Sequence, residues 1–199
     1  MRNLLLDPLD QLQTSSESDR YLEVWNGVTV MSPIANNEHQ KLITRLMAPL
    51  IEVIISKDLG EVYPGLNVSD RGEDWSFNYR GQDIAVVLKG NPAIDHGTHL
   101  QGGPDFLIEI ISPREDAYAK FEFYAQVKTR EVLVVHRDPW ALELFRRHDE
   151  QFELVGRSEV GHETVLTSEV AGLTYQLIEG APRPTIRMTH PSCQGTWTA

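Results

Sequence analysis

PDFLIEIISP, Pro104 to Pro113, is the stretch on which the reading of this chain turns. Gly102-Gly103 sets it off in front and Pro113 stops it behind. Between them, an apolar run of Phe, Leu and Ile has the length of one buried strand. A single carboxylate, Glu109, stands in that run, flanked by Ile108, Ile110 and Ile111. An ionised carboxylate so placed costs several kcal/mol unless a cation, a metal ion or a chain end offsets it.

Working outward, other segments read as strands and helices. YLEVW and VTVMS, from Tyr21 to Ser32, flank Asn26-Gly27, the strongest short signal for a hairpin turn. Glu23 shares one face of the first strand with Tyr21 and Trp25. Asn36 or Asn37 caps a helix from about Glu38 to Ser56, where Leu42, Ile43, Leu46, Met47, Leu50, Ile51, Ile54 and Ile55 recur at helical spacing. Pro49 is expected to kink it, and His39 lies in its first turn. GEVYPGLNV, from Gly60 to Val68, reads as two short strands around a Pro-Gly turn, with a further strand near Trp75–Tyr79. DIAVVL, Asp83 to Leu88, is a buried strand that opens in an acid. After Pro113, REDAYAKFEFYAQVKTR is helical, EVLVVH is a buried strand, and ALELFRR and FELVG form a hairpin. One mixed sheet with helices packed against it, in the α/β class, is the economical assembly. A single domain spans 1–199, with a core over about 21–180 and loose terminal segments at 1–19 and 181–199.

Composition bounds the partners. The chain has 199 residues and a net charge of -11, so it has no whole-surface attraction for nucleic acid or an anionic membrane. Nucleic-acid contact then requires a local patch, or metal ions that cancel carboxylates. A lone cysteine, Cys193, excludes an internal disulfide framework and fits a reducing cytosol. MRNLLLDPLDQ is too short for a signal-peptide core, and no apolar run approaches the roughly 20 residues that span a bilayer. The expected setting is cytoplasmic, without membrane contact.

Two buried-type strands each carry an acid, Asp83 and Glu109, 26 residues apart. That separation lets the strands lie side by side and their carboxylates converge on one divalent cation. Carboxylate oxygens with open water positions are what Mg²⁺ or Mn²⁺ prefers. Such an ion polarises a phosphoryl group and acidifies a bound water. A nearby lysine can steady the developing charge.

The ordered set resembles the Uma-type restriction endonuclease family, part of the PD-(D/E)xK nuclease superfamily. The residues that carry it are the strand opening in Asp83, the PDxxIExxSP strand, a helix with Lys120 and Tyr124 four apart, and the EVLVV strand. YLEVWNGVTVMSP is similar to the family's start and NNEHQKLITRLMAPL to its first helix, so the match runs from about Tyr21 to Arg146. The resemblance implies a restriction endonuclease-like fold, a mixed sheet flanked by helices with an N-terminal hairpin. It implies a metal-dependent endonuclease that hydrolyses DNA, with Asp83 and Glu109 as metal-binding catalytic acids and Lys120 as the catalytic lysine. It also places Glu23 and His39 along the cleft. Two departures stand out: Gln82 replaces the proline before the first acid, and Ile111 occupies the place of the superfamily's in-strand lysine. The resemblance implies that the lysine role passes to Lys120 on the helix.

Other readings compete at each residue. Glu109 can be a buried partner of Lys120 or an arginine with no metal. Lys120 can be a solvated partner of Asp116, one helical turn away. Asp83 can cap a turn, and Tyr124 reads as core. Asp105 shares a face with Glu109, but strand rise puts the two roughly 13 Å apart, too far for one ion. It is placed at the strand mouth, as a turn residue or a lining of the cleft. His96 and His99 lack further zinc ligands, there is no Gly-rich phosphate loop, and Ser112 has no base. The alternative function is a catalytically inactive module that keeps the fold and binds nucleic acid or a protein. A homodimer paired through the hairpin strands is a further expectation.

Overall fold

The computed structural model describes residues 22–31, 36–111 and 116–199. The entry segment 1–19, Tyr21, Ser112 and Pro113 lie outside the described residues. β1 (Leu22–Trp25) and β2 (Val28–Met31) form the expected hairpin, paired from Leu22↔Met31 to Trp25↔Val28. Both turn residues have positive φ, 49° at Asn26 and 82° at Gly27, the geometry for which Asn-Gly is favoured.

α1 (Asn37–Leu50) begins at Asn36, whose side chain accepts the His39 N–H at 2.9 Å. Pro49 has no N–H to give the carbonyl one turn back. Two residues later the helix widens into a π turn, Ile51–Ile55. Leu42, Leu46, Leu50, Val53 and Ile54 form its buried stripe.

The Pro-Gly pair does not turn the chain. β3 is one ten-residue strand, Gly60–Ser69, laid antiparallel along β4 (Tyr79–Leu88). At Pro64 it is an edge, since it pairs outward with β6 (Leu100–Gln101) only at Val68 and Ser69. An edge is where a strand tolerates proline. Trp75–Phe77 is a 3₁₀ turn, and the strand expected nearby starts at Tyr79. β5 (Ile94–Asp95) is short, and β7 (Phe106–Ile111) is buried throughout.

After β7 come a 3₁₀ turn, Ala117–Lys120, and α2 (Phe121–Gln126). This helix is shorter than its sequence suggests, because the chain reverses at Lys128 with φ +72°. β8 (Glu131–Arg137), β9 (Trp140–His148) and β10 (Gln151–Ser158) follow. The main sheet runs β10-β9-β8-β7-β4-β3-β6-β5, with β1 paired to both β2 and β4. β7 and β8 are parallel, from Phe106↔Glu131 to Ile111↔His136. The face bearing Ile84, Phe106, Ile108 and Leu133 packs on α1. The opposite face, with Leu107, Val132 and Val134, packs on Phe123, Tyr124 and Val127 of the α2 segment.

Residues 181–199, expected as a loose tail, hold strands instead. β11 (Leu166–Thr167), β12 (Thr174–Ile178), β13 (Thr185–Thr189) and β14 (Thr196–Thr198) form a second antiparallel sheet. TIRMT alternates, with Ile186 and Met188 fully buried in the core that α1 shares. The surrounding prolines, Pro182, Pro184 and Pro191, hide that short pattern in the sequence.

Glu131 ties the two sheets together. Its carboxylate is 1% exposed and accepts from Arg146 at 2.9 and 3.0 Å, Ser168 Oγ at 2.6 Å, and the Glu169 and Val170 N–H groups. Beside it, the Tyr175 hydroxyl is buried with no partner among the described residues. Burial, and then the Glu131 charge, raise its pKa and keep it protonated. Tyr175→Phe removes this unpaired hydroxyl and is expected to stabilise the protein by about 1 kcal/mol. Urea denaturation checks this, and a clear loss of stability would contradict it.

Candidate active site

The last backbone pair between β4 and β7 is Ile84↔Ile108. One residue further, Asp83 and Glu109 stand opposite each other on the α2 side of the sheet. The β3–β4 ladder is broken at the same point, skipping Gly65, which has φ +69°. Where the ladders part, the Asp83 side chain serves as a rung. Its Oδ2 accepts the Ile110 N–H at 2.7 Å, and its Oδ1 lies 2.8 Å from His39 Nε2.

Glu109 Oε1 accepts the Tyr124 hydroxyl at 2.5 Å and lies 3.5 Å from Lys120 Nζ. Lys120 leaves Asp116 alone, which caps its own turn by accepting the Tyr118 N–H. The ammonium instead contacts Glu23 Oε1 at 2.7 Å and donates to the Gly81 carbonyl at 3.0 Å. Glu23 in turn accepts from Gly81 N–H at 3.1 Å and Trp25 Nε1 at 2.7 Å. Behind Glu23, the Arg80 guanidinium is held between the Trp25 and Phe123 rings, at 4.3 and 4.4 Å. Burial lowers its pKa, with the Glu23 charge opposing.

Three carboxylates thus face one buried ammonium, with one arginine behind. Burial pushes the Glu109 pKa up to about 8; Asp83 and Glu23 add to the rise, and Lys120 and the Tyr124 bond oppose it. For Lys120, burial works against the ammonium, but the Glu109 and Glu23 carboxylates outweigh it and raise its pKa. Burial and the same two carboxylates hold the Tyr124 phenol protonated, as a donor.

The structure brings together five residues singled out in the sequence: Glu23, His39, Asp83, Glu109 and Lys120. Asp105 is not among them. It sits at the other end of β7, where it accepts from the Leu88 N–H and Asn91 Nδ2, each at 2.8 Å, and from Arg130 at 3.2 Å. It anchors the loop after β4 and does not line the cleft. His99 stacks on Trp75 and His96 stacks on His99, and their Nε2 atoms meet the Arg71 carbonyl and Gln101 Oε1 respectively. Tyr124, read as core, is both fully buried and bonded to Glu109. Its place one helical turn after Lys120 was the available signal.

Among the described residues, no three His, Cys, Asp or Glu side chains converge as a ready-made metal cage. Two opposed carboxylates do fit an ion that keeps several water ligands, as Mg²⁺ and Mn²⁺ do. No described residue donates to Glu109 Oε2, which leaves that oxygen for a cation.

The pH dependence follows from Glu109. Its folded pKa lies above its unfolded value, so below about 4.5 both states are protonated and nothing is lost. From there to about 8 the unfolded chain ionises while the folded site resists, and stability falls. Glu109→Gln is therefore expected to gain stability relative to wild type as pH rises through this window in chelator. Urea titrations at several pH values check it; a difference that does not change with pH would refute the assignment.

This architecture is that of a nuclease-like α/β protein. It matches the crystal structure of a putative nuclease belonging to DUF820 from Anabaena variabilis ATCC 29413 with a TM-score of 0.62, over 83% of this chain and 90% of that one. The two are 14% identical, so the likeness is one of fold. By sequence, the chain belongs to the Uma2 family, described as "putative restriction endonuclease", whose profile matches residues 6–178. No curated protein matches it. Among the described residues, no helix is long and apolar enough to cross a membrane.

Proposed function

We propose that this protein is a divalent-metal-dependent endonuclease that hydrolyses DNA phosphodiester bonds. The observation that carries this reading is the opposition of Asp83 and Glu109 at a break between neighbouring strands, with the Lys120 ammonium 3.5 Å from Glu109. Asp83 and Glu109 would hold Mg²⁺ or Mn²⁺. The ion would polarise a phosphoryl oxygen and acidify a bound water. Lys120 is kept charged by its two carboxylates, so it stabilises negative charge that builds up on the phosphoryl group. His39 and the Ile110 N–H fix the Asp83 carboxylate, Tyr124 fixes Glu109, and Glu23 fixes Lys120. Family membership and the nuclease-like fold support the same reading.

Cleavage of supercoiled plasmid in Mg²⁺ or Mn²⁺ tests it. Nicked and linear products should appear with metal and vanish with chelator. An intact plasmid at every metal concentration, together with DNA binding indifferent to Asp83 and Glu109, would favour the inactive binding module.

A further inference from the structure

Hydrolysis requires a group that takes a proton from the attacking water. Lys120 is held as an ammonium between Glu23 and Glu109, at 2.7 and 3.5 Å, and has no lone pair to offer. His39 directs Nε2 to Asp83, and its Nδ1 is buried without a partner among the described residues. Tyr124 is a protonated donor to Glu109. Lys120 and Tyr124 are thus donors, and the bare His39 Nδ1 is buried away from solvent.

Strand pairing extends the site across the sheet. Glu109 pairs with Val134, Val134 with Glu143, and Glu143 with Arg157, so this row shares the α2 side. His136, two residues past Val134, lies on the same face. Strand spacing and rise put its Cα about 8 Å from that of Glu109.

His136 Nε2 is 3.0 Å from Glu143 Oε2. The Tyr118 hydroxyl donates to the same oxygen at 2.5 Å and lies 3.3 Å from Nε2. Arg157 Nη1 donates to the other oxygen, Oε1, at 2.5 Å. Glu143 is 6% exposed. The His136 bond, outweighing burial, and the Tyr118 and Arg157 bonds hold its pKa down to about 2. Tyr118 belongs to the same 3₁₀ turn as Lys120, two residues before it, so one turn spans both clusters. The ionisable groups facing His136 are thus Glu143 and Tyr118, with Arg157 behind Glu143. Arg137, beside it, meets Glu38 on α1.

We infer that His136, oriented by Glu143 and Tyr118, is a further catalytic residue: the general base that deprotonates the attacking water. The inference rests on the nuclease reading of the Asp83–Glu109 site. With Nε2–H donated to Glu143, Nδ1 carries the lone pair. A water O–H bond breaks, its proton passes to Nδ1, and the water oxygen bonds to phosphorus. The phosphorus–oxygen bond to the leaving strand breaks, its electron pair stays on the leaving oxygen, and that oxygen takes a proton from solvent. The imidazolium then returns its proton to solvent. Tyr118 and Glu143 are positioning residues: they fix the tautomer and the ring.

The test is the pH–rate profile of plasmid cleavage for wild type, His136→Asn, His136→Gly and Tyr118→Phe, with melting temperature and DNA affinity measured alongside. His136→Asn should lower kcat by about 10²–10⁴-fold with KM nearly unchanged. The acidic limb that wild type shows should disappear. Added imidazole should restore part of the rate in His136→Gly, and Tyr118→Phe should displace the acidic limb while keeping it. If His136→Asn melts early, His136→Gln takes its place in the same measurements. A folded variant that keeps the wild-type limb, whether slower or not, overturns the base assignment alone. A wild type that cleaves nothing in any metal overturns the nuclease reading and this assignment with it.

Discussion

Asp83→Asn is expected to lower plasmid cleavage by at least about 10²–10³-fold in saturating Mn²⁺, while leaving the fold in place. Asparagine removes the charge that a divalent ion needs. It keeps a side-chain oxygen that can accept the Ile110 N–H, now taken by Asp83 at 2.7 Å. That distinction matters because Asp83 is also a rung between β4 and β7. Alanine would remove the ligand and the rung together, and a lost activity would then be ambiguous. Glu109→Gln should give a comparable loss, since it too removes a charge and keeps the shape. Metal raised beyond the level that saturates wild type should recover part of either loss if binding is what failed. Equal cleavage by wild type and Asp83→Asn, with both folded, would end the case for a metal held at this position.

Glu131→Ala is expected to cost about 3–5 kcal/mol of stability, because it removes a buried carboxylate and leaves the donors that share it without an acceptor. Glu131 is 1% exposed and satisfies Arg146, Ser168 and two backbone N–H groups at once. Truncation leaves Arg146 with the exposed Glu169, 3.1 Å away, as its remaining counter-charge, and the 168–170 turn without its acceptor. For a protein of this size the loss corresponds to a fall of about 10 °C in melting temperature. Glu131→Gln should cost less, since the amide oxygen still accepts. A loss of under about 1 kcal/mol for the alanine variant would show that the second sheet docks by apolar packing alone.

The acids were legible because burial makes them conspicuous: a carboxylate among isoleucines demands a partner, and two such strands demand a shared one. The same signature is present in ALELF, where Glu143 stands between Leu142 and Leu144. Its partners His136, Tyr118 and Arg157 come from three separate elements, so no local pattern joins them. The Asn26-Gly27 hairpin was readable because its geometry depends on those two residues alone. Pro64-Gly65 misled because the same dipeptide suits a turn or a strand edge, and only the neighbouring strands decide which. Asp105 stands one residue before β7, where strand alternation no longer decides what it meets. The loop that folds back onto it through Asn91 involves tertiary contact that spacing does not encode.

That edge has a consequence for the protein in a crowded solution. From Gly60 to Leu66, β3 has no outer neighbour among the described residues. A long unpaired edge is a template on which further strands can grow. Here the template is spoiled midway. Pro64 has no hydrogen to offer an arriving strand, and Gly65, with φ +69°, departs from the extended line that strand would have to follow. The irregularity that frees Asp83 from its ladder on the inner side therefore guards against aggregation on the outer one.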